Sequence, residues 1–194
     1  MNKKISEFVA FSIFRLFGII VVGILCSILG FIIYNGIKVI NWEFLTTFPK
    51  EGMTSGGIFP AIVGTCYLII GSMLFAFPLG VMSAIYTNEY GGQSWIVRLI
   101  RMMTNNLASI PSIVFGLFGM ALFVNKLKFG DSILAGSLTL GLLALPLIIR
   151  TTEEALKAVP DAYRSGSLAL GATKLQTIFR VVLPAALPNI FTGL

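Results

Sequence analysis

Long apolar runs separated by short polar ones set the pattern of this chain. Four runs, 11–37, 58–86, 102–124 and 132–149, approach or exceed the roughly 20 residues that a helix needs to cross a bilayer. A fifth begins near residue 181 and is too short to span before residue 194, so we expect an incomplete polypeptide. The pattern predicts an all-α, polytopic membrane protein whose residues 1–194 form one transmembrane domain.

Composition and charge support a membrane protein and give it an orientation. The chain is 56% hydrophobic and 11% charged, whereas soluble domains carry about 25% charge. The net charge of +6 is scattered over loops, which argues against a nucleic-acid surface. With the N-terminus in the cytoplasm, most basic residues fall inside, as the positive-inside bias requires. The inner ones are Lys3, Lys4, Arg15, Arg98, Arg101, Arg150, Lys157, Arg164, Lys174 and Arg180, and the outer ones are Lys38, Lys50, Lys126 and Lys128.

The residues that enzymes use are scarce. The chain has no His, and Cys26 and Cys66 lie inside apolar runs, where small buried hydrophobic residues are expected. It contains no G-x-x-x-x-G-K-[ST], G-x-G-x-x-G, H-E-x-x-H or G-x-S-x-G motif. We therefore expect no ATP hydrolysis by this chain itself, no metal site and no cofactor.

Two helices carry narrow polar stripes. In the run 102–124, small and polar residues alternate by four and three, which places them on one side of a helix. They are Asn105, Ser109, Ser112, Gly116 and Gly119. In the run 132–149, Thr139 lies close to the direction of Arg150, which ends the least apolar face. Each stripe is either a packing seam between helices or the lining of a pathway, and a seam that borders a pathway satisfies both.

The charged region 151–180 has the pattern of short, ordered helices. Pro160 ends the continuation of the fourth helix, because the residue before a proline is forced out of helical geometry. We expect Asp161 and Thr173 to cap two further helices and Gly171 to provide a left-handed terminus. One face of the first helix combines large and small side chains: Tyr163, Gly166, Ser167 and Leu170. This face predicts docking into a protein groove, with attachment to the bilayer surface as the alternative.

The same region resembles the signature of ABC-importer permeases, which reads E-A-A, three residues, Gly, nine residues, I-x-L-P. The matching positions here are Ser165, Gly166, Ser167, Gly171, Leu183 and Pro184. Ser165 departs from the signature, because the family has a carboxylate there. The resemblance implies the type I, MetI-like permease fold. It also implies that region 151–180 is a cytoplasmic coupling helix that inserts into a groove of the ATPase subunit.

Longer stretches resemble the PstA-type permeases of phosphate ABC importers: SGGIFPAIVGT (55–65), NNLASIPSIVFGLFGMALFV (105–124) and residues 145–190, with PSIVFGLFG and RTTEEAL the most specific. The resemblance implies a multi-pass protein of the plasma (inner) membrane that imports inorganic phosphate. Its implied partners are a homologous permease subunit, a dimer of ATP-binding cassette ATPases, an extracytoplasmic phosphate-binding protein and the lipid bilayer. No nucleic acid is expected.

Arg150 and Glu154 are four residues apart, so a continuing helix would bring them together. Spacing alone favours an ordinary surface ion pair. Phosphate permeases carry a comparable Arg and Glu, so the resemblance adds a second hypothesis in which Arg150 receives the anion and Glu154 holds or releases it. The predicted substrate pathway is Arg150, Glu154, Asn105, Ser109, Ser112 and Thr139. The alternatives are the partner permease, a permease for another oxyanion, an ATP-independent carrier and a scaffold.

Overall fold

The computed structural model describes residues 3–92 and 94–193, and this part of the chain is mainly helical. Within it, four helices are long and apolar enough to cross a membrane. They are Phe11–Gly36, Phe59–Tyr90, Ile133–Ala158 and Lys174–Thr192. A bent pair, Trp95–Ala108 and Ser112–Lys126, makes a fifth candidate if it is counted as one span. The all-α membrane fold predicted from the apolar pattern is confirmed.

Contacts divide the chain into two compact units, residues 1–62 and 63–194, whereas the apolar pattern alone predicts one domain. The first unit contains the long helix α1 (Lys3–Gly36) and the short helix α2 (Trp42–Thr46). A small antiparallel hairpin follows, formed by β1 (Pro49–Lys50) and β2 (Ser55–Gly56) around a 3-10 turn at Glu51–Met53. The Asn41 side chain caps α2 by accepting a hydrogen bond from the Phe44 amide at 2.7 Å.

The second unit carries the remaining elements, which begin with α3 (Phe59–Ile85) at the boundary between the units. Three helices end in wider π-helical turns, and the turn Tyr86–Tyr90 that extends α3 is called the junction turn below. The others in chain order are α4 (Trp95–Ala108), α5 (Ser112–Gly119) with the turn Met120–Lys126, α6 (Ile133–Ala158), α7 (Asp161–Ala169), α8 (Lys174–Thr177), the turn Ile178–Val182 and α9 (Leu183–Thr192).

The core of the second unit lies where α3, α6 and α9 meet. Leu156 of α6 and Ile190 of α9 are fully buried, as is Val182 in the turn before α9. They pack with residues from the end of α3, including Ala84 and Ile85. Because lipid offers little hydrophobic gain, close packing of these branched aliphatic side chains is what holds the helices together here. The junction turn and α7 are attached directly to this core, so their positions depend on it.

The predicted straight span 102–124 is broken in the structure. Helix α4 ends at Ala108, α5 begins at Ser112, and the two helices differ in direction by 102°. Pro111 causes the break, because it lacks an amide proton and pushes Ile110 away from helical geometry. The Ser109 hydroxyl also donates to the Asn106 carbonyl at 2.7 Å. The polar stripe therefore does not run along one helix face.

The packing-seam interpretation holds at one end of that stripe. A Cβ added to Gly119 of α5 would collide with the Thr139 side chain of α6, so the contact requires glycine. Gly116 has nothing within 4 Å of such a Cβ. Close approach at small residues is a common way for helices to associate in membranes, where lipid leaves little hydrophobic gain.

Candidate functional site

Helix α7 and the segment after it have the local geometry that the sequence predicts in two of three places. Gly171 has a φ of +84°, which confirms the left-handed terminus. Thr173 forms a capping box with Gln176, in which each side chain accepts from the other residue's amide. The prediction for Asp161 is wrong. Pro160 occupies the cap position, so Asp161 is the first helical residue and its side chain caps nothing.

One surface of α7 is open. Tyr163 is 52% exposed and Leu170, which follows the last turn, is 90% exposed. Gly166 has nothing within 4 Å of an added Cβ, so it forms a notch between them. Ser165 is exposed and its hydroxyl donates back to the Asp161 carbonyl at 3.1 Å. This surface of α7 therefore has a large, small, large profile, and its docking role stays a prediction.

The predicted face of α7 is incomplete at Ser167. Its hydroxyl lies 2.9 Å from the hydroxyl of Thr177, which is buried. Ser167 therefore joins α7 to α8 within the chain. Further along, Leu183 is half-buried against the core and Pro184 is exposed in the first turn of α9. The Leu-Pro pair thus anchors the start of α9 on one side only.

Arg164 is the most heavily bonded side chain of the region. Its Nη2 donates to Glu89 Oε1 at 2.8 Å and to the Leu156 carbonyl at 2.8 Å. Its Nη1 donates to the Val159 carbonyl at 2.8 Å and to Asp161 at 3.2 Å, and Nε donates to Glu89 at 3.2 Å. One guanidinium thus joins the junction turn, the end of α6 and the start of α7.

The contact between Arg164 and Glu89, called the clasp below, favours the charged form of Arg164. Hydrogen bonding to Glu89 raises the pKa of Arg164 above its usual value, against the opposing effect of burial. A raised pKa means that the stabilisation is fully present below the ordinary arginine pKa and is lost only as pH rises above it. Arg164 therefore stays charged over the whole physiological pH range.

The junction turn receives two further contacts. The Thr87 hydroxyl donates to the Glu153 carboxylate of α6. The Lys174 ammonium lies 4.8 Å from the centre of the Tyr90 ring, which is a cation–π distance. Sequence reasoning missed Glu89 and Glu153. Glu89 is the only acidic residue of 87–101, but nothing in the spacing connects it with an arginine 75 positions later.

A second arginine, Arg150, lies on α6 and is exposed. Its Nη2 donates to Asn105 Oδ1 of α4 at 2.6 Å. The predicted pair with Glu154 does not form. Glu154 is exposed and has no hydrogen bond or ion pair to any residue in 3–92 or 94–193. Asn105, which bonds Arg150 in place of Glu154, lies on the neighbouring helix α4, and helical spacing cannot reveal a partner on another helix.

Glu153 lies close to two neighbouring cations. Arg101 Nε lies 3.8 Å from one of its carboxylate oxygens and Lys157 Nζ lies 3.8 Å from the other. Together with Thr104, Asn105 and Arg150 they line a cavity of about 190 Å³ between α4 and α6. Three cations and one carboxylate leave this cavity with a net positive charge, which suits an anion.

The other predicted pathway residues lie elsewhere. Ser109 is in the break between α4 and α5, and Ser112 begins α5. Thr139 packs against Gly119 and lines a separate groove of about 550 Å³ beside α5 and α6. Asn105 and Arg150 are thus the only two of the six predicted pathway residues that line the cavity between α4 and α6.

Residues 76–194 match the family described as binding-protein-dependent transport system inner membrane component. The probable ABC transporter permease protein YqgI of Bacillus subtilis is 36% identical over 193 residues, covering 100% of this chain and 66% of that protein. The phosphate transport system permease protein PstA of Yersinia pestis is 40% identical over 146 residues, covering 75% and 49%. PstA of Mycobacterium leprae is 42% identical over 139 residues, covering 72% and 45%.

Among solved structures, an inward-facing conformation of the MetNI methionine ABC transporter is similar, with a TM-score of 0.58 and 25% identity. The alignment covers 71% of this chain and 64% of that one. This similarity confirms the MetI-like permease fold predicted from the signature. The chain spans about half to two thirds of the length of the curated relatives described above.

Proposed function

Because the chain belongs to the family of inner-membrane components of binding-protein-dependent transport systems, we propose that it is a permease subunit of an ATP-driven phosphate importer. Several of its relatives are named as phosphate transport permeases. The observation that carries the proposal is α7, a helix with an exposed notched face, which the half-buried Arg164 fixes to the end of α3 and the end of α6. Such a helix is suited to receive movement from another subunit. The chain itself is not an enzyme, and a separate subunit hydrolyses ATP.

The proposed complex contains this chain, a homologous permease, two ATPase subunits and a phosphate-binding protein on the outer side. The N-terminus lies in the cytoplasm, which the distribution of Lys and Arg supports. α7 then faces the ATPase. Closure of the ATPase pair on ATP moves α7, and the spans turn outward to accept phosphate. Hydrolysis returns them, as in other alternating assemblies with two states.

The Arg150 cavity is the proposed route of the anion. Arg150 donates to one neutral amide, so its other donors are available to phosphate oxygens, and guanidinium geometry matches them. The net positive charge of the cavity attracts an anion, and Glu153 keeps Arg101 and Lys157 at the wall of the cavity. Glu154, Ser109, Ser112 and Thr139 remain predicted pathway residues outside this cavity.

Replacing Arg150 by Gln tests the route. Uptake of labelled phosphate should fall to background, because the cavity loses the donor fork that faces the anion. The ATPase should still co-purify in normal amount. Arg98→Gln is the matched control, since Arg98 is an exposed arginine of α4 outside the cavity, and its uptake should be normal. Normal uptake by Arg150→Gln would remove Arg150 from the mechanism. Competition by excess sulfate would assign the transporter to another oxyanion.

The docking surface is tested by Gly166→Trp, which fills the notch of α7. Recovery of the ATPase with the permease should drop, because an indole cannot enter a groove shaped for glycine. Gly18→Trp, at a glycine of α1 that is also open, should leave recovery unchanged. Equal recovery from both variants would contradict docking through this face.

A further inference from the structure

We propose that Glu89 and Arg164 are positioning residues that make α7 and the end of the α3 span move as one body. This inference rests on the proposed coupling role of α7. The clasp lies inside this chain, away from the exposed face of α7, so it is distinct from the docking surface. Its function would be to pass movement of α7 directly to α3 through the junction turn.

The geometry of the guanidinium is the first reason. Two of its nitrogens bond the Glu89 carboxylate, and the same group also bonds the carbonyls of Leu156 and Val159. A planar fork held at this many points leaves α7 little freedom to rotate about Pro160 alone. The Arg164 side chain is 19% exposed and that of Glu89 is 8% exposed, so water screens the pair weakly.

The shape of the junction turn is the second reason. The Gly91 amide donates to the Tyr86 carbonyl at 2.8 Å, which closes a π-type turn wider than an α-turn. Thr87 is buried and bonds α6 through Glu153, while Glu89 faces α7. Lys174 holds Tyr90 from the segment after α7. Three neighbouring residues of the turn thus contact α6, α7 and α8 separately.

The core beneath the turn is the third reason. Ala84 and Ile85, the last residues of α3, pack with Val159 at the end of α6 and with Ile178 after α8. The polar contacts of the turn therefore lie beside an apolar cluster that joins α3 to Val159, just before α7, and to Ile178, just after α8. This cluster fixes both ends of the segment that contains α7, and the pair of Glu89 and Arg164 fixes α7 itself.

The test measures the distance between α3 and α7 in the assembled transporter by electron paramagnetic resonance. Cys26 and Cys66 are first replaced by Ser, and spin labels are attached at Met82→Cys and Leu168→Cys, two exposed positions. With Glu89 present, a non-hydrolysable ATP analogue should leave one narrow distance distribution unchanged. With Glu89→Gln, the distribution should broaden or shift when the analogue binds. A shift with Glu89 present, or no change in Glu89→Gln, would overturn the inference.

The matched control is Asp161→Asn, the same carboxylate-to-amide change on the exposed side of the same guanidinium. The Asp161 side chain is 99% exposed, so this variant should behave as the unsubstituted protein. Arg164→Lys should behave as Glu89→Gln, because an ammonium retains the charge but cannot serve all the acceptors. A narrow and unchanged distance distribution in Arg164→Lys would show that the charge alone suffices. It would contradict a role for the planar geometry of the guanidinium.

A transport readout separates positioning from folding. In reconstituted vesicles, Glu89→Gln should reduce the phosphate moved per ATP hydrolysed by about fivefold or more. This is the lower end of the effect that typical coupling free energies between two sites produce. A purely structural role would lower the yield of complex and leave this ratio unchanged in the complex that remains. If the unsubstituted complex moves no phosphate, the proposed substrate fails. The distance measurement needs only nucleotide, so it still decides the clasp.

Discussion

Arg164 and Arg150 both lie close to α6, and their surroundings differ in how far their donors are used. Arg164 bonds two carboxylates and two backbone carbonyls and is mostly buried. Arg150 is exposed and bonds one amide oxygen. Buried charges persist only when they are paired and hydrogen-bonded, whereas an exposed one needs no partner. The first environment holds a group in place and the second leaves it able to bind something else.

The two carboxylates of the region differ in a similar way. Glu89 contacts its cation at hydrogen-bond distance, while Glu153 lies 3.8 Å from each of two exposed cations. A short pair between two largely buried groups fixes geometry, and longer pairs with exposed cations adjust without much change in energy. Within this chain, the extent to which an arginine's donors are satisfied distinguishes a joint between elements from a candidate ligand site.

Truncation to alanine should give the largest contrast. Arg164→Ala leaves Glu89 and two carbonyls without their partner, and breaking such a pair lowers the free energy of unfolding by about 3–5 kcal/mol. Arg150→Ala removes one exposed contact and should lower it by under about 1 kcal/mol. Chemical denaturation in detergent micelles measures both. Equal losses would show that the two environments do not differ in energy.

Substitution by lysine should sharpen the contrast with charge held constant. Arg164→Lys should lower the free energy of unfolding by about 1.5–3 kcal/mol, the range for lost hydrogen bonds to charged groups. Arg150→Lys should leave the free energy of unfolding unchanged, because an ammonium group can also make the single contact that Arg150 makes with Asn105. The same denaturation assay applies. A stable Arg164→Lys protein would mean that the fork geometry contributes nothing.

Salt should change the effect of replacing Glu153 and leave the effect of replacing Glu89 unchanged. Glu153→Gln should lower the free energy of unfolding by about 1 kcal/mol at low salt, and most of that difference should vanish in 1 M NaCl, where screening acts within about 3 Å. Glu89→Gln should retain its deficit at both salt concentrations, since its pair is buried. A salt-sensitive deficit in Glu89→Gln would contradict the buried clasp.

A small effect is expected at the Thr173 cap of α8. Thr173→Ala removes the side-chain acceptor for the Gln176 amide and should lower the free energy of unfolding by about 1 kcal/mol or less. Thr173→Ser keeps the acceptor and serves as the control. A loss as large as that of Arg164→Ala would place the joint at α8 and not at Arg164.

Local features of this fold were predictable from the sequence. The left-handed Gly171, the cap at Thr173 and the end of α6 before Pro160 depend on residues within one or two turns of each other. The membrane class was also predictable, because each apolar run is one continuous stretch of the sequence. The complete break at Pro111 is not predictable in this way. A proline in an apolar run permits either a kink or a complete break, and packing against α6 decides between them.

Contacts between distant elements were not predictable. Arg150 and Glu154 satisfy helical spacing, yet the bond that forms joins Arg150 to Asn105, 45 residues away. Glu153, one position earlier than the predicted acid, faces Arg101 because α4 lies on that side of α6, and it also lies near Lys157, four residues later on its own helix. Spacing identifies candidates on one helix. The direction from which a neighbouring helix approaches selects among them.

The distance along the chain between the two halves of the clasp has a consequence for biosynthesis. The carbonyls of Leu156 and Val159 precede Arg164 by only a few residues, so that corner can form locally as it is made. Glu89 is synthesised 75 residues earlier, which corresponds to about 4–15 s at ordinary elongation rates. During that interval the end of α3 carries a carboxylate without its arginine. The joint between the end of α3 and α7 is therefore completed late, when Arg164 leaves the ribosome.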